Sequence, residues 1–153
     1  MIAYITFNVY DYSEFNLWDI ATKKKEAVEK FKKENLPYFF DGGQPDISAL
    51  ELRRVELSKS DYNFLKNFLE VGKTSNEDEK KVEKMLSSFY KNNEDDYIFS
   101  FTGDEIIDVV KHYCKKNSID IPDDNFYEVI DEVVSELSKD REKFVAAISE
   151  YIG

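Results

Sequence analysis

The sequence predicts an α+β fold: a small antiparallel sheet from the N-terminal half, completed by a strand near 97–101 and packed with helices, followed by a helical C-terminal third. Three observations carry this expectation. Runs rich in β-branched and aromatic residues occupy 1–10, 15–21, 50–57 and 97–101. Apolar residues recur at helical spacing between them and throughout 103–152. The strand-like run near 97–101 is isolated among helices, and a lone strand is unstable, so it is expected to join the N-terminal sheet.

Taken in order, Met1 to Tyr10 reads as a strand (Ile2, Tyr4, Ile5, Phe7, Val9), Asp11 to Glu14 as a turn, and Phe15 to Ala21 as a second strand. So short a connection implies an antiparallel hairpin. Thr22 is the expected N-cap of a helix through Lys33, with Ala27, Val28 and Phe31 inward. Its lysines are balanced by Glu26, Glu29 and Glu34. Leu36-Pro37 should end it, because proline disfavours helical geometry in the preceding residue, leaving Tyr38 to Phe40 extended. Asp41 to Asp46 (DGGQPD) is the strongest loop signal. It lacks the spacing and lysine of a phosphate-binding loop.

Leu50 to Leu57 forms a third strand whose apolar phase slips, which suggests a bulge at Arg53-Arg54. Ser58 followed by Asp61 reads as the cap of a helix to about Glu70. Residues 72–76, with Gly72, are the best internal boundary, although the 153 residues fit a single α+β domain over 1–153. A helix over Glu77 to Asn92, a turn at 92–96, a strand at Tyr97 to Phe101 and a helix from Thr102 or Gly103 to Lys116 follow. A connection over 117–122 leads to a helix at Asp123 to Leu137. The last helix opens at Ser138 or Asp140, with Phe144, Val145, Ile148, Tyr151 and Ile152 inward.

Charge narrows the function classes. The net charge is -11. Residues 1–76 hold 11 Lys+Arg against 12 Asp+Glu, and residues 77–153 hold 10 against 20, so the acidity belongs to the second half. Such a chain disfavours nucleic acid and anionic lipid as direct ligands and favours a basic partner, or simply solubility. No apolar run is long enough to span a bilayer. The single cysteine, Cys114, excludes an internal disulfide and, without a recognisable leader, points to a cytoplasmic protein.

The acidity is most organised over 123–137, which carries six carboxylates and no lysine or arginine. On a helical wheel Phe126, Ile130, Val133 and Leu137 share one side, with Tyr127, Val129 and Val134 on its shoulders. Asp124, Glu128, Asp131, Glu132 and Glu136 take the other. Like charges at this spacing weaken a helix, and the later ones oppose its dipole. Stability alone would have mixed in lysines, as the Thr22 helix does. The expected partner-binding residues are therefore these five, extended by Glu94, Asp95 and Asp96 and flanked by Asp104, Glu105, Asp108, Asp120 and Glu142.

In composition and charge layout the chain resembles the small acidic proteins that phages and mobile elements make against CRISPR nucleases and restriction enzymes, and the immunity proteins that block nuclease toxins. The resemblance implies a non-enzymatic, anti-CRISPR-like inhibitor. It would bind a basic nucleic-acid-binding protein, such as a nuclease or CRISPR effector, as a nucleic-acid mimic. Two alternatives stand beside it: a self-associating accessory protein using aromatic contacts, and a small enzyme using Asp108 with His112, the only histidine, four residues on. No metal or cofactor site is expected: one His and one Cys are too few for zinc, and neither Glu94 to Asp96 nor Asp120 to Asp124 has EF-hand spacing.

Overall fold

The computed structural model describes residues 1–11, 13–41, 48–72, 75–92, 97–100 and 103–153. Strands β1 (Ile2–Tyr10) and β2 (Glu14–Ala21) form the expected antiparallel hairpin. Asp11 adopts a positive φ of 51° in the turn, a conformation its short polar side chain tolerates. Strand β3 (Ser48–Glu56) runs antiparallel to β1, and β4 (Tyr97–Ser100) antiparallel to β3, giving one four-stranded sheet in the order β2-β1-β3-β4. The isolated strand does complete the N-terminal sheet.

Both faces of the two central strands are covered, each by its own helices. Ala3, Ile5, Phe7, Val9 and Val55 pack on one face with Leu65 of α3 (Lys59–Val71) and with Val82 and Leu86 of α4 (Asn76–Asn92). Leu50, Leu52 and Phe99 occupy the other. There they meet Val109, Val110 and Cys114 of α5 (Gly103–Lys116), Ile130, Val133 and Leu137 of α6 (Phe126–Ser138), and Phe144, Ala147 and Ile148 of α7 (Arg141–Ile152). Burying a Leu, Ile or Phe side chain contributes roughly 1.5–3 kcal/mol, so both layers hold the sheet. Local caps agree with the sequence. Ser58 Oγ accepts from the Asp61 N–H at 3.0 Å, Asp140 Oδ1 accepts from the Lys143 N–H at 3.2 Å, and Gly72 closes α3 with φ 73°.

Three local expectations are corrected. The bulge expected at Arg53-Arg54 is absent from the β1/β3 ladder, which pairs without interruption from Ile2–Glu56 to Tyr10–Ser48. The register break lies on the other side of β3, where Leu52 pairs with Phe99 and Arg53 with Tyr97, leaving Ile98 as the extra residue. The apparent phase slip in β3 arises because Leu50 and Leu52 are buried on one face and Glu51, Arg53 and Val55 on the other.

Pro37 does not end the helix. Helix α1 (Lys24–Lys30) continues through a π-turn (Phe31–Asn35) into α2 (Leu36–Asp41), so Tyr38 is helical rather than extended. The Leu36 N–H donates to the Phe31 carbonyl five residues back. The wider turn accommodates a residue that lacks an N–H and whose ring would crowd the carbonyl four residues earlier. The helix is capped by Lys23 without a side-chain bond, not by Thr22, because β2 runs to Ala21 and the first helical bond goes from the Ala27 N–H to the Lys23 carbonyl. The Asp41 to Asp46 loop, beyond the Asp41 that closes α2, lies outside the described residues.

Candidate functional site

The acidic segment opens with a single 3-10 turn (Asp123–Asn125) and becomes α6 at Phe126. Proline 122, extended at φ -71° and ψ 143°, sets the chain up to enter it. Ile130, Val133 and Leu137 are buried against the core, as their spacing requires, and Phe126, Val129 and Val134 are partly buried beside them. This anchorage dictates what the other side must do. Asp124, Glu128, Asp131, Glu132 and Glu136 are all exposed. Residues four apart on a helix are separated by about 6 Å along its axis, so the carboxylates form a continuous ridge.

Among the described residues, no ion pair neutralises the ridge. Among the described residues, the ion pairs are Lys30 with Asp19, Arg53 with Glu51, and Lys116 with Glu150. None involves α6. Lys111 reaches from α5, yet its ammonium lies 5.3 Å over the Phe126 ring rather than against a carboxylate. Glu94, Asp95 and Asp96, the expected extension, lie outside the described residues, as do the side chains of Asp104 and Glu105. Asp108, Asp120 and Glu142 are exposed on or beside α5, α6 and α7.

Tyr127 departs from expectation. Its place on the shoulder of the apolar side suggested partial burial, but the side chain is 72% exposed, more than any other large hydrophobic among the described residues. The signal was present in the wheel: Tyr127 stands roughly 90° from the centre of the stripe formed by Phe126, Ile130, Val133 and Leu137, farther than Val129 or Val134. Its ring meets Phe126 edge-to-face at 5.2 Å. Asp131, four residues on, shares its side of the helix, and Asp124 lies three residues before it in the 3-10 turn.

The alternative pair is not brought into contact by a hydrogen bond among the described residues. Asp108 and His112 are both exposed on α5, and the imidazole lies edge-on to Tyr151 at 6.3 Å. His112 lines a shallow, open depression with Lys115, Lys116, Ser149, Glu150 and Gly153. Cys114 faces the core, and burial pushes its thiol pKa up. Among the described residues, no three His, Cys, Asp or Glu side chains converge as metal ligands, and no helix is long and apolar enough to cross a membrane.

No family model, curated protein or solved structure matches the chain. The functional reading therefore rests on geometry and charge.

One cluster was invisible in the sequence. Arg53, expected only as a bulge residue, and Glu51, given no role by the sequence, are buried in mid-sheet. Arg53 Nη2 donates to Glu51 Oε1 at 3.4 Å, and the same oxygen accepts from Ser100 Oγ at 2.8 Å. The guanidinium lies 5.1 Å from the centre of the Tyr90 ring and 5.9 Å from that of Tyr97. Ser100 is 49 residues from Glu51, so no local pattern announces the contact.

Proposed function

We propose that this protein is a non-enzymatic inhibitor that binds a basic, nucleic-acid-binding protein through the carboxylate face of α6, occupying the surface where DNA or RNA would lie. The observation that carries the reading is the exposure of Asp124 in the opening turn and of Glu128, Asp131, Glu132 and Glu136 on α6, with no described ion pair to any of them. A ridge of fixed negative charge on a packed helix presents to a basic groove the feature by which nucleic acid itself is held, and it speeds encounter with such a groove. The mimicry lies in the charge, not in base recognition.

The test is capture of partners on the immobilised protein at low and at high salt, alongside a variant with Glu128, Asp131, Glu132 and Glu136 changed to Lys. The expected result is a basic nucleic-acid-binding protein held at low salt, released at high salt and not held by the variant. Equal capture by the variant would sink the reading.

A second reading has an observation of its own. Tyr38 is 70% exposed, and its ring stands edge-to-face against Trp18 at 5.5 Å. Trp18 is the extra residue at the register break of β2, and Tyr38 follows the π-turn, so two irregularities converge on one surface aromatic pair. Self-association through this pair predicts a dimer whose mass by light scattering is insensitive to salt.

A further inference from the structure

We propose that Tyr127 makes the α6 face selective for arginine, so that the partner presents guanidinium groups rather than a generally basic, lysine-lined surface. The proposal rests on the binding reading above and names the chemistry of its partner. A carboxylate attracts lysine and arginine alike. The exposed ring discriminates, because a planar, weakly hydrated guanidinium stacks on an aromatic face while its remaining donors fork onto neighbouring carboxylates, and a compact, strongly hydrated ammonium does this poorly.

Two arrangements in the same molecule support the assignment. In the sheet, Arg53 is held in this way, with its guanidinium over Tyr90 and Tyr97 and a nitrogen on the Glu51 carboxylate. On α6 the same ingredients stand open to solvent: a ring 72% exposed, braced by Phe126, with the exposed Asp131 carboxylate one turn on and the exposed Asp124 in the turn that opens the helix. Lys111 is placed over Phe126, and Tyr127 is the exposed member of the ring pair.

The experiment is a titration at low salt with hexa-arginine and hexa-lysine, peptides of equal side-chain charge, followed by calorimetry. Wild type should bind hexa-arginine about two- to fivefold more tightly than hexa-lysine, the increment of one exposed cation–ring contact. Tyr127→Leu should bring hexa-arginine down to the hexa-lysine level, and Tyr127→Phe, which keeps the ring, should retain the preference. Helix content by circular dichroism confirms that each variant is folded. Equal affinity for the two peptides, or a preference that survives Tyr127→Leu, overturns the proposal. In that event, loss of both peptides on reversing Glu128, Asp131, Glu132 and Glu136 to Lys would leave the acidic face standing. Failure of wild type to bind either peptide would overturn both.

Discussion

The molecule handles charge in two opposite ways. In the sheet, Glu51 and Arg53 are buried and compensated by each other, by Ser100 and by two tyrosine rings. On α6 and the turn that opens it, five carboxylates are exposed and stand outside the described ion pairs. The difference separates charge that the fold must satisfy from charge that it can leave alone. A buried carboxylate needs a partner for the chain to fold at all. An exposed one costs the helix only a few tenths of a kcal/mol per like-charge pair, so water suffices and the group stays available to another molecule.

The largest expected effect breaks the buried side of the comparison. Arg53→Ala removes the guanidinium from the buried Glu51 carboxylate and should destabilise the protein by about 3–5 kcal/mol in denaturant unfolding. The double replacement Glu51→Leu with Arg53→Met removes both charges and keeps much of the volume, and it should fall within about 1–2 kcal/mol of wild type or above it. A double variant as damaged as the single one would mean that the pair does more than neutralise itself.

The exposed side should respond in the reverse manner. Changing Glu128, Asp131, Glu132 and Glu136 to Lys should abolish partner binding while the melting temperature stays put or rises on the order of a degree, because repulsion among lysines replaces that among acids while cations suit the end of the helix dipole that the acids opposed. A large loss of stability would show that the ridge serves the fold. The smallest effect concerns Cys114, whose pKa burial raises. The thiol therefore ionises more readily in the unfolded chain. Its contribution to stability is complete below the unfolded pKa of roughly 8.5 and is lost as pH rises through the folded value. Unfolding titrations across this window should show a shallower alkaline decline for Cys114→Ala, and an unchanged slope would remove the thiol from the account.

Much of the architecture was legible because local and tertiary demands coincide. Ile5, Phe7 and Val9 read as strand and are buried in one, and Ser58 and Asp140 cap the helices that they introduce. The carboxylate face of α6 was equally plain, since Ile130, Val133 and Leu137 determine which side turns inward. The misses have a common cause. Pro37 is a strong local stop, but the packing of Phe31, Leu36 and Phe39 into one core keeps the chain helical through a π-turn. In β3 the alternation is hidden because both faces are covered, and Arg53 finds its environment in residues distant along the chain. Tyr127 was misjudged for a simpler reason, because an aromatic at the margin of an apolar stripe can turn either way.

The central claim is that the α6 face takes the place of nucleic acid on its partner. The most direct measurement is competition on the complex formed with a captured basic protein: labelled DNA or RNA is added in increasing amounts and the fraction of partner still bound is followed. Mutually exclusive binding is predicted, with nucleic acid releasing the partner and the Lys-substituted variant failing to compete. A ternary complex, with nucleic acid and this protein bound to the partner together at undiminished affinity, would contradict it.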